Sequence, residues 1–348
     1  MVSSMTFPRS LMSARFIPRP RVPPAHATTI TAPFVRCYAA SSSSTSTSTP
    51  SSDSPIKVVT HPAPHNGHIK ILLLDRPASR NALSRRLITD LRSQISQIRS
   101  EHQAAVSAAA AATASSSSSS TNTTTTTDPT RALILASSND KAFCAGADLV
   151  ERRSMTAEET RSFLADMRST FASLSRLPIP TISAVSSVAL GGGLEIALCT
   201  TFRVFGTTAV VGQPETKLGI IPGAGGTYRL PALVGPNRAR DLILTGRRVG
   251  GREAYFLGLC NRLVEVGPDA DEAGLARKRV LDASIDLANQ ICEGAPVAVA
   301  QAMRAIDGWT RGDDVSENEA YEVVLATEDR LEALKAFGEK RKPVFQGR

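Results

Sequence analysis

The chain has 348 residues, 42% of them hydrophobic, which suffices for one large domain or two small ones with a sizeable buried core. Its formal net charge is +8, but residues 1–52 contain Arg9, Arg15, Arg19, Arg21 and Arg36 and no acid, so the remainder carries too little excess charge to imply a nucleic-acid protein. No apolar run reaches the length of a membrane span, and Cys37, Cys144, Cys199, Cys260 and Cys292 lack metal-site or C-x-x-C spacing; no metal and no membrane partner are expected.

Residues 1–38, rich in Arg, Ser and Pro and free of acids, have the composition of a mitochondrial transit peptide, with Arg36 a few residues ahead of a cut near Ala39. The bland alternative is a disordered basic tail. Residues 39–55 read as a disordered Ser/Thr-rich leader. Folded chain is expected from 56. Lys57–Val59 and Ile69–Leu74 read as strands around a turn at His65-Asn66-Gly67. A helix is predicted from Asn81 to about Ala110, with Leu83, Leu87, Leu91, Ile95 and Ile98 on one face and Arg85, Arg86, Arg92 and Arg99 on the other. That basic face is either solvated or, in the rival reading, a weak RNA-binding surface. Residues 104–127 form a low-complexity Ala/Ser/Thr run, read as a surface insertion whose alanines extend the helix.

Arg131–Leu135 reads as a strand. A helix over Ala157–Arg176 should bury Phe163, Met167, Phe171 and Leu174, with Pro178 and Pro180 ending it before a buried strand at Thr181–Val185. Next comes Ala189-Leu190-Gly191-Gly192-Gly193-Leu194-Glu195. Three glycines permit close backbone approach, and a helix predicted at Leu194–Cys199 turns its free N–H groups and positive dipole end toward that approach. Such a turn can hold a developing oxyanion, with Glu195 beside it. Taken alone, it can equally be a tight turn followed by a helix-start acid. A second acid, Glu215, follows in Gly212-Gln213-Pro214-Glu215 and leads into Gly223-Ala224-Gly225-Gly226. Short strands at 202–205 and 210–211, helices at 229–244 and 251–257 and a strand at 262–266 complete a core over 56–270. The region 271–348 reads as mostly helical, with Leu281, Ile285, Ala288 and Ile291 on one stripe.

Three blocks, Lys141–Leu149, Ala189–Glu195 and Gln213–Gly226, together resemble the crotonase family, the enoyl-CoA hydratases and isomerases. Within it, Glu215-Thr216-Lys217-Leu218-Gly219-Ile220-Ile221-Pro222 and Thr327–Leu334 are most similar to the mitochondrial methylglutaconyl-CoA hydratases, a branch also described as binding AU-rich RNA. The resemblance implies an α/β, ClpP/crotonase-like ββα superhelix with a C-terminal helical trimerisation region, assembling as a homotrimer or a hexamer. It implies Glu195 and Glu215 as the catalytic pair, and the backbone N–H groups of Ala147 and Gly192 as the oxyanion hole. It further implies Ala145, Gly146, Asp148, Leu149, Phe337 and Lys340 as coenzyme A contacts. Coenzyme A is part of the substrate, and no separate cofactor is expected.

The expected activity is hydration of an α,β-unsaturated acyl-CoA, with 3-methylglutaconyl-CoA the leading substrate and a general short-chain enoyl-CoA the alternative. Two departures stand out. Ser186-Ser187 replaces the usual Asp-Gly or similar pair, and Thr200-Thr201 stands where Cys-Asp is common, which leaves Arg203 without an aspartate. If the leader is a matrix address, N-terminal sequencing of protein recovered from mitochondria should begin near Ala39; an intact Met1 would refute it.

Overall fold

The computed structural model describes residues 54–114, 128–267, 274–312 and 314–348. The expected transit peptide, nearly all of the Ser/Thr leader and residues 115–127 of the insertion lie outside them. The strands are β1 (Ile56–Pro62), β2 (His68–Leu74), β3 (Thr130–Ser137), β4 (Ala142–Cys144), β5 (Thr181–Val185), β6 (Val188–Leu190), β7 (Phe202–Gly206), β8 (Val210–Gly212), β9 (Arg248–Gly250) and β10 (Arg262–Val264). The helices are α1 (Arg85–Ala114), α2 (Leu149–Arg153), α3 (Ala157–Ser175), α4 (Gly192–Ala197), α5 (Gly226–Val234), α6 (Pro236–Thr245), α7 (Gly251–Leu257), α8 (Leu275–Cys292), α9 (Pro296–Asp307), α10 (Val315–Leu325) and α11 (Glu328–Gly338).

A six-stranded sheet runs β1-β2-β3-β5-β7-β10, antiparallel in the β1–β2 hairpin and parallel beyond it. Its central strands are mostly apolar because both faces are covered. Alternate residues serve different cores. Leu72, Leu74, Leu133, Leu135, Val185 and Phe205 pack with α1, α3 and α4, while Ile69, Ile71, Ile134, Ile182 and Val204 pack beneath α8. A second, four-stranded sheet runs β4-β6-β8-β9, of which only β8 matches an expected strand, the one at 210–211. Its strands have three residues each, too few to show a period in sequence, yet they carry the glycine turn and the residues leading to both glutamates.

Several element boundaries differ from expectation for local reasons. α1 begins at Arg85 rather than Asn81. Asn81 is left-handed (φ 55°), and its buried side-chain amide donates to Ser137 Oγ at 2.8 Å and the Phe143 carbonyl at 3.0 Å. Ser84 then caps the helix, its hydroxyl accepting from Leu87 N at 3.2 Å. Leu83 leaves the predicted helical stripe and bridges Ala147 in parallel. The expected long helix at 229–244 lies within two helices, α5 and α6, separated by Gly235 (φ 81°) with Pro236 opening the second. On α8 the buried stripe is turned to Val280, Ser284, Leu287, Ala288 and Cys292. Ser284 hid that register because it is polar; its hydroxyl donates to the Val280 carbonyl at 2.7 Å and so needs no water.

Arg203 is buried without an acid. Its Nε donates to the Leu259 carbonyl at 2.8 Å, Nη1 to the Thr200 carbonyl at 2.7 Å, and Nη2 reaches Asn261 Oδ1 at 3.4 Å. Burial pulls its pKa down to about 10, and carbonyl dipoles stand in for the missing carboxylate. Thr201 turns instead to β5, its hydroxyl accepting from Thr181 N at 3.2 Å. The other departure leaves Ser187 Oγ buried with no partner. The two substitutions should therefore part company in thermal melting. Arg203→Met strands two carbonyls and should destabilise by about 2–4 kcal/mol, whereas Ser187→Ala removes an orphaned hydroxyl and should be neutral or stabilising by up to ~1 kcal/mol.

Candidate active site

The loop from β4 into α2 comes first. Gly146 (φ 102°) turns it so tightly that a β-carbon there would stand 2.8 Å from the Leu190 carbonyl oxygen. Leu83 then clamps the loop. Its N–H donates to the Gly146 carbonyl at 2.7 Å, and its own carbonyl accepts from Asp148 N at 3.1 Å. Asp148 caps α2 through Glu151 N at 3.3 Å and pairs with Arg76 at 3.1 Å. Its side chain is thus structural in this chain. The Ala147 N–H between these contacts makes no hydrogen bond among the described residues, and neither does the Gly192 N–H.

α4 starts at Gly192, two residues earlier than expected, so Gly192 itself supplies the first N–H of the helix. The helix lies close against β4: a side chain on Gly193 would collide with the Cys144 carbonyl. A β-carbon position built on Gly192 lies 3.9 Å from Ala147 N and 4.0 Å from Glu195 Oε2; one on Gly191 lies 3.0 Å from Glu215 Oε1. Two free N–H groups and two carboxylates therefore converge on one glycine turn.

The two acids are held differently. Glu195 is 2% exposed, and its Oε1 accepts from Ala224 N at 2.7 Å and Gly226 N at 2.8 Å. Its Oε2 accepts nothing from the described residues. Burial raises its pKa, and the Gly226 and Ala224 N–H groups oppose that by favouring the charged form, helped by Arg229 and Arg168. Glu215, 8% exposed, opens a 3-10 turn at Glu215–Leu218. Burial pushes its pKa up to about 7, with the negative charge of Glu195 adding to the rise. Gln213 is fully buried beside it. With its amide nitrogen toward Glu215, it donates to the two carboxylate oxygens at 2.9 and 3.0 Å; turned over, its oxygen can accept from the protonated acid. The arrangement provides a fixed carboxylate, a proton-retaining carboxyl group and two donors for a nascent oxyanion.

Comparison with known proteins gives this geometry its context. The family model for enoyl-CoA hydratase/isomerase matches residues 107–348. An enoyl-CoA isomerase/hydratase of Zymoseptoria tritici is 54% identical over 299 residues, covering 86% of this chain and 90% of the relative. The mitochondrial methylglutaconyl-CoA hydratase 1 of Pyricularia oryzae is 52% identical over 306 residues, covering 84% and 87%. The crystal structure of an enoyl-CoA hydratase from Bacillus anthracis superposes with a TM-score of 0.70 at 36% identity, covering 84% of this chain and all of that one. The chain belongs to the enoyl-CoA hydratase/isomerase family. Its fold is the crotonase fold, and it is an enzyme of acyl-CoA chemistry.

The remaining site residues expected of an enoyl-CoA hydratase fall in two places. Ala145 and Gly146 lie on the loop beside Ala147, with Ala145 N donating to the Arg80 carbonyl at 3.0 Å, and Leu149 opens α2 and is exposed. Phe337 and Lys340 sit at the end of α11. Phe337 is 85% exposed and Lys340 is left-handed at φ 54°, and no hydrogen bond or ion pair joins either to the glutamate loops among the described residues. Gln213, Leu83 and Arg152 also shape the site and were given no role from sequence. Only Gln213 offered a signal, an amide two residues before an acid. Among the described residues no group of three or more His, Cys, Asp or Glu side chains is placed to hold a metal. Cys144 and Cys199 are buried thiols pushed up to about 12, so they are packing groups rather than nucleophiles.

The raised pKa of Glu215 has a consequence for stability. An unfolded chain ionises this carboxyl near 4.5, the folded chain near 7, so folded-state stability falls as pH rises through that window. Glutamine cannot ionise. Glu215→Gln should therefore melt higher than wild type at pH 8, with the advantage vanishing at pH 4.5; the gain is at most roughly 3 kcal/mol before the opposing Gln213 donors are counted. Equal melting shifts at both pH values would show that Glu215 ionises normally.

Proposed function

We propose that this enzyme hydrates 3-methylglutaconyl-CoA in the mitochondrial matrix. The observation that carries the hydratase reading is the pair of unlike carboxylates facing two free N–H groups. In the proposed reaction the thioester carbonyl oxygen accepts from Ala147 N and Gly192 N, which stabilise the enolate as charge moves onto that oxygen. Glu195, its Oε1 fixed by two backbone donors, uses Oε2 to orient water and take its proton as the oxygen bonds to the β-carbon. Glu215, which retains a proton near neutral pH, delivers it to the α-carbon. Water has then been added across the double bond, and the two glutamates have exchanged protonation states; transfer through the site's water resets them. The substrate choice is supported by the name of the Pyricularia oryzae relative. The matrix location is supported by the same name and by the basic, acid-free leader.

Assembly as a trimer or doubled trimer fits the C-terminal helices, where Trp309, Leu331, Leu334 and Phe337 are exposed apolar groups without cover in a single chain. An RNA-binding role for the basic helix gains no support. Arg85 reaches Glu159 at 3.3 Å, Arg92 reaches Asp166 at 2.8 Å, and Arg99 donates to the Ser173 carbonyl at 3.2 Å. These side chains join α1 to α3 rather than forming a free cationic stripe.

Turnover measured side by side on 3-methylglutaconyl-CoA and crotonyl-CoA tests the substrate. A higher kcat/KM on the branched dicarboxylic thioester is expected; a strong preference for crotonyl-CoA would return the enzyme to the general short-chain hydratases. Glu195→Gln and Glu215→Gln should each lose about a hundredfold or more in turnover while retaining product binding. Their double variant should be little worse than the poorer single, since they act as a unit. Near-normal turnover in either folded single variant removes that residue from the mechanism.

A further inference from the structure

Three arginines bear electrostatically on Glu195, and two of them are already engaged. Arg229 donates to the Ala224 carbonyl at 3.0 Å and stacks over Tyr228 at 4.7 Å; Arg168 donates to the Gly223 carbonyl at 2.6 Å. The third, Arg152, is different. It lies on α2, directly after the Ala147 donor, with its guanidinium 5.6 Å from the centre of the Phe163 ring on α3. Its side chain makes no hydrogen bond or ion pair among the described residues, and its Nε is buried without a partner. Burial lowers its pKa, while the Glu195 charge favours its cationic form.

A buried guanidinium N–H without an acceptor is uncommon enough to need a reason. The cation–π contact with Phe163 supplies no hydrogen-bond acceptor, so it leaves the N–H donors open. Those donors suit the two oxygens of a carboxylate. We propose that Arg152 is the receptor for a carboxylate at the distal end of the acyl group, and so selects dicarboxylic enoyl thioesters over neutral ones. This deepens the 3-methylglutaconyl-CoA reading and rests on it.

The chemistry of that substrate makes such a receptor necessary. With the thioester oxygen at Ala147 and Gly192 and the β-carbon at the glutamates, the distal carboxylate lies only two carbons further on. It would enter a site that already holds the charge of Glu195, and like charges in a water-poor pocket repel strongly. Arg168 and Arg229 are each anchored by one hydrogen bond to the loop that fixes Glu195, whereas Arg152 is anchored by none among the described residues. Arg152 has open donors, and a neutral crotonyl group would leave them unused.

The test separates this proposal from the substrate reading by measuring binding of inert saturated analogues, glutaryl-CoA and butyryl-CoA, to wild type, Arg152→Met and Arg152→Lys by calorimetry. Wild type should bind glutaryl-CoA more tightly. Arg152→Met should shrink the ratio of the two affinities by about thirtyfold, and Arg152→Lys should restore part of it, since a charge-assisted pair is lost and then partly replaced. A wild type without preference for glutaryl-CoA defeats the dicarboxylic reading itself. Preference that survives in Arg152→Met overturns the role of Arg152 and leaves the reading standing. Equal weakening of both ligands also overturns it, since that marks a structural residue. The ratio of kcat/KM on 3-methylglutaconyl-CoA to that on 3-methylcrotonyl-CoA, which lacks only the carboxylate, should collapse in parallel.

Discussion

The site depends on two hydrogen bonds from backbone to carboxylate. Ala224 and Gly226 both donate to Glu195 Oε1, and this joins α4 to the loop that opens α5. An ionised acid this deeply buried is tolerable only when fixed dipoles replace its water. Two N–H groups on one oxygen do that, and they leave the second oxygen uncommitted. The same bonds position Ala224 and Gly223, whose carbonyls in turn hold Arg229 and Arg168. One anion thus organises the backbone on its far side. Replacing it with a neutral group would loosen both the loop and the arginines it anchors.

That constraint also separates the two glutamates chemically. Both are buried, so desolvation pushes both upward, and the charge of Glu195 pushes Glu215 further. Glu195 accepts from two backbone N–H groups remote in sequence, while the backbone donor acting on Glu215 is the N–H of its own residue. Glu215 has Gln213, an amide that can offer either its nitrogen or its oxygen, and so can serve the group in either protonation state. Burial raises both pKa values, but one acid has an oxygen pinned by donors that favour its charged form while the other has a partner suited to either state. Addition of water across a double bond needs that asymmetry, because one proton must be taken while another is given.

Much of this architecture was legible in the sequence, for physical reasons that can be named. The strands β2, β3 and β5 are apolar runs because both faces of their sheet are buried, and α3 shows its core residues Phe163, Met167, Phe171 and Leu174 at helical spacing. The three glycines and two acids were visible as types, and the structure places them around one turn. What was hidden is what depends on partners distant in sequence. Asn81 reads as a helix starter until Ser137 and the Phe143 carbonyl, far along the chain, claim its amide. The second sheet is built of three-residue strands with no periodic signature. Arg203 seemed to need an acid, because a list of side chains does not show that the Leu259 and Thr200 carbonyls point at it. Arg152 carried no signal of its own, since nothing in the charged stretch Glu151-Arg152-Arg153 reveals that its middle residue lies against Phe163.

The four cations near the site show how one residue type can serve different ends in a small volume. Arg76 is tied to Asp148 and the Ala82 carbonyl, fixing the loop that presents Ala147. Arg168 and Arg229 are tied to carbonyls and act on Glu195 only through space. Each of the three is anchored by at least one hydrogen bond to the protein itself, which fixes where its charge sits. Arg152 retains a buried donor with no acceptor, next to the apolar ring of Phe163. In a pocket that already holds carboxylates, a further anion on the substrate requires a cation with unspent donors. On the proposal that Arg152 receives the acyl carboxylate, selection among acyl groups turns on which guanidinium the fold leaves without an acceptor, and is separate from the proton handling proposed for the two glutamates.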